Sequence, residues 1–287
     1  MNRAWVFGVL AATACCGPKS VKPPSGGDLT VQQIVDNTAK ARAELTSFRG
    51  DSTMDYWLSG QRAKGEVLVM GTTGKKVRFA ALSPAGGATL AEMACDGTNF
   101  VYLDYQNNCS LTGPCDAQSV SIFFGLALEP DDFVHLALGT PPVLDGATGT
   151  VTWDGSRGVE KVDLKAAGGA QKISVDAREN RWEVVDSELA GPDGKQRWSV
   201  AYTDLQKVAG SGERRVPMKA RFKSPVQNQD LLVEWTELEA NPQLEADKFH
   251  IDIPQGLGTC GQTVNIKPGQ SVNVTPQGAP APQPPTK

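Results

Sequence analysis

The residues with chemistry to offer are six cysteines, two histidines and one serine. The cysteines stand at 15, 16, 95, 109, 115 and 260. Cys15 follows Ala12-Thr13-Ala14, and these follow Arg3 and an apolar run from Ala4 to Ala12. A charged start, a short apolar run and small residues form an export signal with its cleavage point. The run is shorter than the ~20 residues that a permanent bilayer helix needs. A cysteine at the cleavage point resembles a lipobox, where the new N-terminal residue is acylated. Cys15 is the favoured acceptor, because Cys16 would have Cys15 before it. The competing reading is an ordinary secretory signal with two incidental cysteines. Either way the chain is exported.

Export changes what the other thiols do. An even set, Cys95, Cys109, Cys115 and Cys260, reads as disulfides in an oxidising compartment. Four cysteines allow three pairings. The short span from Cys109 to Cys115 contains Gly113-Pro114 and offers local closure, which leaves Cys95 for Cys260; pairing Cys115 with Cys260 is the competitor. Zinc ligation needs a different spacing and more histidine, so no metal and no cofactor is expected.

A hydrolase is the remaining chemical reading. Gly50-Asp51-Ser52-Thr53 resembles the start of a GDSL-type block, and Asp132 to His135 and Asp247 to His250 are both D-x-x-H tetrads. Such a serine nucleophile needs a histidine base, and it should follow a buried parallel strand. Ser52 instead opens an alternating strand, and no βαβ alternation surrounds it. Phe249 and Ile251 should face inward, which turns His250 outward. Asp131/Asp132 favour a helix N-terminus through the dipole, and Glu237/Glu239 lie at a strand end. No catalytic residue is therefore assigned, and the chain is read as a non-enzyme.

Composition is consistent with that reading. At 287 residues, 40% of them hydrophobic, the chain is able to bury one large all-β domain. The net charge of −4 is spread without a basic block, so nucleic acid is not an expected partner. No apolar run beyond the signal is long enough for a bilayer.

The elements that must position these residues follow from periodicity. Asp28 to Phe48 reads as an amphipathic helix, with Thr30 and Gln33 at capping-box spacing and Gly50 to end it. From Asp51 the period becomes two. Strands are expected around Met54–Leu58, Glu66–Met70, Lys76–Leu82, Thr89–Cys95 and Phe100–Tyr105, with Asp96-Gly97 as a hairpin turn. Asp116 to Gly139 is helical, and Pro130-Asp131-Asp132 begins its second helix. Strands resume near Thr148 and run to about Leu238. Trp198, Val200 and Tyr202 share one face, as do Val216, Met218, Ala220 and Phe222, while Val233 and Trp235 add a further inward pair. One apolar face per strand marks an antiparallel sheet covered on one side.

This order resembles the periplasmic lipoprotein-localisation family of LolA and LolB. Phe79-Ala80-Ala81-Leu82-Ser83-Pro84 with Gly86 resembles its strand-and-turn, Asp96 to Tyr102 its hairpin, and Leu244 to Pro254 its closing segment. The resemblance covers roughly 29–256. It implies a mainly β fold with helices (α+β): an unclosed antiparallel β-barrel, or half-barrel, with a helical plug on its concave face. It also implies acyl-chain binding between sheet and helices. The turn from Gly71 to Gly74 lacks the large apolar residue that the LolB receptor exposes, and an anchor is foreign to the soluble LolA carrier.

The expected organisation is a signal peptide at 1–14, a lipidated Cys15 with a flexible tether over 15–27, the half-barrel domain over 28–275, and a disordered Pro-rich tail at 276–287. Candidates for the lipid cavity are Trp57, Phe79, Phe123, Phe124, Phe133, Trp198, Met218, Phe222 and Trp235. The expected protein is a monomeric, outer-membrane lipoprotein facing the periplasm. Its partners are the membrane, through the N-terminal lipid, and the acyl chains of a lipid or lipoprotein. The alternative is the same fold as an envelope scaffold without ligand.

Overall fold

The structure, a computed structural model, describes residues 21–23, 28–58, 61–84, 87–124, 128–261, 264–266 and 272–274. The side chains of 57, 58, 61, 123, 124, 264–266 and 272–274 are not described. The signal, Cys15, Cys16, most of the tether and the tail at 276–287 lie outside the described residues, as do Gly60 and Gly86 at their expected turns.

Helix α1 (Val31–Glu44) starts where Thr30 and Gln33 satisfy each other. Gln33 N donates to Thr30 Oγ1 at 3.2 Å, and Thr30 N donates to Gln33 Oε1 at 2.9 Å. Two orphan donors of the first turn are thereby satisfied. The helix ends earlier than the periodicity suggests. Phe48 and Gly50 belong to β1 (Ser47–Leu58), so Gly50 does not cap the helix. Its missing side chain makes room instead: a Cβ there would lie 2.6 Å from Glu237 O and 3.0 Å from the Trp235 ring.

After β1 the chain meanders through β2 (Gln61–Thr72), β3 (Lys76–Leu82), β4 (Thr89–Asp96), β5 (Asn99–Asp104) and β6 (Cys109–Pro114). The Asp96-Gly97 turn forms as expected. Asp96 Oδ1 accepts from Thr98 N and Asn99 N, both at 2.8 Å, and Gly97 adopts φ 107°. Two helices follow, α2 (Ala117–Phe124) and α3 (Pro130–Ala137). A second meander runs through β7 (Thr148–Asp154), β8 (Val159–Ala166), β9 (Gly169–Asp176), β10 (Glu183–Ala190), β11 (Gln196–Gln206), β12 (Val216–Ser224) and β13 (Gln229–Ala240). A two-residue strand, β14 (Gly258–Thr259), pairs parallel with β6.

All fourteen form one sheet in the order β14-β6-β5-β4-β3-β2-β1-β13-β12-β11-β10-β9-β8-β7. The last strand does not pair with the first, so the barrel is open. The expected half-barrel is the observed fold. The topology also explains the plug. β6 lies next to one edge and β7 forms the other, so the chain between them must cross the whole sheet. That crossing carries α2 and α3, and α3 packs against β2 and β3.

The two faces differ as the alternation requires. One inward row runs Tyr56, Leu231, Phe222, Val200 across β1, β13, β12 and β11, each opposite the next. The outward positions carry ion pairs across strands, such as Arg49–Glu239 at 2.6 Å and Arg221–Asp230 at 2.6 Å. Part of the outer face is covered. The segment after β13 lays Ile251 against Ala94 and Leu103, all buried, and Arg78 Nη1 donates to Lys248 O at 3.0 Å. His250 is exposed between buried Phe249 and Ile251, as expected.

The disulfides are Cys95–Cys115 and Cys109–Cys260, with Cα separations of 5.5 and 4.8 Å. All four candidate cysteines are used, but neither pairing singled out from the sequence is realised. Cys109 to Cys115 runs along β6, an unrecognised strand. Six residues at ~3.3 Å each span ~20 Å, and a disulfide tolerates less than ~7 Å between Cα atoms. Local closure is therefore impossible.

Candidate functional site

The helical crossing is held to the sheet by three devices. Pro130 stands at the first turn of α3, and Asp131 and Asp132 favour its N-terminus. Asp131 Oδ1 accepts from Lys75 N at 2.6 Å, while Asp132 pairs with Arg42 of α1 at 2.9 Å. Gly71 of β2 supplies the second device: a Cβ there would lie 2.9 Å from Val134 Cγ2, so only glycine lets the helix sit so close. The third is aromatic. Phe133 meets Phe79 edge-on, with centroids 4.9 Å apart at 78°, and also meets Phe48 at 6.1 Å. Phe48 in turn meets Trp235 at 5.6 Å and 70°. Such pairs add ~0.5–1.5 kcal/mol each beyond burial.

Beside this cluster lies a cleft of about 40 Å³ between α3 and the concave face. The helix side contributes Leu128, Phe133, Leu136 and Ala137. The sheet side contributes Val200 from β11, Ala220 and Phe222 from β12, and Leu231, Val233 and Trp235 from β13. Every described lining side chain is apolar or aromatic, and none of them carries a charge.

Three of the nine cavity candidates meet here: Phe133, Phe222 and Trp235. Phe79 is fully buried beneath Phe133 as packed core. Trp198 is half-buried and stacks on Phe222 at 6.1 Å; Met218 is half-buried against the core. The side chains of Trp57, Phe123 and Phe124 are not described. Val200, Ala220, Leu231 and Val233 were missed as lining residues because the candidates were chosen for size. The period-two alternation that marks Phe222 also marks Ala220, so the signal was present.

A larger groove of about 460 Å³ lies between α1 and residues 141–147. Gln171 fastens its outer wall to the sheet: Gln171 Oε1 accepts from Leu144 N at 2.8 Å, and Nε2 donates to Pro142 O at 2.8 Å and Ser187 Oγ at 3.0 Å. The groove wall mixes Arg42, Gln32, Thr38 and Asp145 with Val35 and Val143. An acyl chain placed there would desolvate those polar groups, which costs free energy without returning a hydrogen bond. The smaller cleft carries no such cost along its walls.

The groups singled out for hydrolysis are apart in their bonding. Ser52 is buried and donates to Val67 O at 2.9 Å. His135 is buried on α3, with Nδ1 3.3 Å from Thr140 Oγ1. His250 bonds Asp252 at 3.2 Å. Among the described residues, no group of three or more His, Cys, Asp or Glu side chains is placed to hold a metal ion. No helix of the described residues is long and apolar enough to cross a membrane.

His135 makes the plug sensitive to acid. Burial pushes its pKa from 6.5 down to about 4, Arg42 pushes the same way, and Asp131 opposes. The unfolded chain binds the proton near 6.5 and the folded one only near 4, so this residue's cost to stability is absent above 6.5 and grows as pH falls towards 4. At about 1.4 kcal/mol per pH unit the loss approaches roughly 3 kcal/mol. Urea unfolding of wild type and His135→Gln at pH 7 and pH 4.5 checks this; the variant should show the shallower decline.

No family model matches the sequence, and no curated protein matches it. Solved structures do match. A DUF1329 family protein from Desulfovibrio piger is 10% identical, over 78% of this chain and 98% of that one, with a TM-score of 0.53. An outer membrane lipoprotein-sorting protein domain from Vibrio parahaemolyticus is 8% identical, over 76% and 96%, with a TM-score of 0.52. A LolA superfamily protein from Nitrosomonas europaea covers 78% of this chain at 9% identity, with a TM-score of 0.49. At such identities the likeness is one of fold.

Proposed function

We propose that this chain, LolA/LolB-like in its half-barrel fold, holds acyl chains of a lipid or lipoprotein between α3 and the concave face. The cleft whose described lining is apolar and aromatic throughout is the observation that carries this reading. Apolar concavities with few polar groups suit lipids. The fold shared with a lipoprotein-sorting domain supports it. In this reading the protein is a monomer with no catalytic step, metal or cofactor. Acylation at Cys15 fixes it to a membrane of the cell envelope, the outer membrane on its periplasmic side. A fixed protein then receives or presents chains rather than shuttling them.

The cleft, at about 40 Å³, has room for a few water-sized groups at most, since ~10–15 Å³ of such space holds one. A chain therefore enters only as α3 lifts. Burial of each methylene is worth ~0.8 kcal/mol, so a dozen contribute ~10 kcal/mol before ordering costs. Against it stand the ~3–5 kcal/mol of a buried phenylalanine such as Phe133 and the contacts of Asp131, Asp132 and Val134 that seat the same helix. The small size of the cleft also supports a second reading, an envelope scaffold whose helices stay seated.

Titration with 1,6-diphenylhexatriene, a neutral hydrocarbon reporter, separates the two. Saturable binding to wild type is expected, with a loss of at least ~tenfold in affinity for Ala220→Phe, which fills the cleft while keeping the sheet. Absence of binding favours the scaffold; equal binding by the variant moves the site elsewhere.

A further inference from the structure

Residues 21–23 fall within the expected tether, yet Val21 is seated on the sheet. Val21 N donates to Gly155 O at 2.7 Å, and Trp153 Nε1 donates to Val21 O at 3.1 Å. The Val21 side chain lies over Gly158, where a Cβ would stand 3.4 Å from Val21 Cγ1. The β7–β8 hairpin thus engages both backbone groups of Val21 and its side chain. Cys15 lies six positions before Val21, and six residues extend to at most ~20 Å. A chain free as far as Asp28 would reach ~45 Å. The clasp therefore shortens the leash by about half.

Register shows what else lies at that end. Glu183 stands opposite Asp176 and Gln206 opposite Val216, so the turns after β9 and β11 share this end with the β7–β8 turn. The turns after β10 and β12 lie at the other end. Charge is layered at the clasped end. The Asp154, Asp176 and Glu183 side chains are no more than 11% exposed, whereas Lys161, Arg178, Arg181 and Arg215, which pair with them, are 26–50% exposed. Glu179 and Asp186 are the more exposed acids there. Cations therefore stand outside the carboxylates that they cover. The arginine fork matches phosphate geometry, and phospholipid headgroups present phosphate.

We infer that this end of the sheet faces the phospholipid headgroups of the membrane that holds the Cys15 acyl group. The inference rests on the acylation of Cys15 and gives it a direction: the turns after β10 and β12 point away from the bilayer.

The test is energy transfer from the full-length acylated protein in vesicles of phosphatidylethanolamine and phosphatidylglycerol, with a rhodamine acceptor on the headgroups. A coumarin amino acid is the donor. It replaces Ser156 in the β7–β8 turn in one preparation, and Val226, exposed in the turn after β12, in the other. Strands of about ten residues at ~3.3 Å each hold the two ends ~30 Å apart, so transfer from position 156 should exceed that from 226 at least about twofold. Val21→Pro removes the N–H that bonds Gly155, and in that variant the two transfers should converge. Val21 belongs to no strand or helix, so the variant keeps the sheet. Equal transfer from both positions in wild type, or more from 226, overturns the inference while the anchor stands. A difference that survives in Val21→Pro overturns the clasp as what sets the direction. Failure of the wild type to float with the vesicles overturns the acylation itself, and the inference with it. Flotation and transfer are read on the same sample, so the two failures are told apart.

Discussion

Cys109→Ala/Cys260→Ala is expected to unfold at a urea midpoint corresponding to a loss of about 5 kcal/mol. The bond joins residues 151 apart in sequence, and cross-links that close long loops restrict the unfolded chain most. The native side points the same way. After β13 the chain is held to the sheet by the two-residue strand β14 and by a small outer patch around Ile251, Ala94 and Leu103. Without the bond, amides near Ile251 and Gly258 should exchange in the native state well before those of β1 and β13. Cys95–Cys115 spans only 20 residues, so its removal should cost less, about 3 kcal/mol on the same scale. It should also act elsewhere, by freeing the start of α2. If the two double variants were indistinguishable from wild type, the observed pairing would be refuted.

The second large effect belongs to Phe133. Its ring is 5% exposed and touches Phe79 and Phe48, aromatic side chains on two strands. Truncating such a residue removes burial and leaves a void, typically ~3–5 kcal/mol for Phe→Ala. The void should open beside the existing cleft, because Phe133 is one of its walls. Phe133→Ala is therefore expected to lose about 4 kcal/mol by urea unfolding, with faster hydrogen exchange concentrated in α3. Trp198→Ala is the control. That ring is half-buried and has one stacking partner in Phe222, so a loss of about 1–2 kcal/mol is expected there. A Phe133 variant as stable as the Trp198 variant would mean that the plug is not anchored by its aromatic cluster.

The fold was legible wherever a local rule governs it. Alternation marked β3, β4, β11 and β12, the Asp96-Gly97 pair marked a hairpin, and Thr30 with Gln33 marked the start of α1. Pro130-Asp131-Asp132 and Gly139 bounded α3, and Gly139 takes φ 77° as a helix terminator should. What failed depends on contacts distant in sequence. Gly50 looked like a helix stop, but its role is to admit the Trp235 ring, 185 positions later. β6 (CSLTGP) has weak alternation, and only its place between β5 and β14 makes it a strand. The disulfide pairing follows from that same placement. The site was legible in part: Phe133, Phe222 and Trp235 were found by size and phase. Ala220 and Leu231 share the phase, but they emerge only once strands are laid side by side.

Solvent extraction of the purified, membrane-derived protein followed by lipid mass spectrometry reads the ligand directly. An anchor acyl chain bonded to the N-terminal cysteine stays with the protein, so only non-covalent lipid enters the extract. Wild type should release close to one equivalent of an acyl lipid, and Ala220→Phe prepared in parallel should release little. A wild-type extract without acyl lipid, from protein that is folded and has both disulfides formed, would contradict acyl binding between α3 and the sheet.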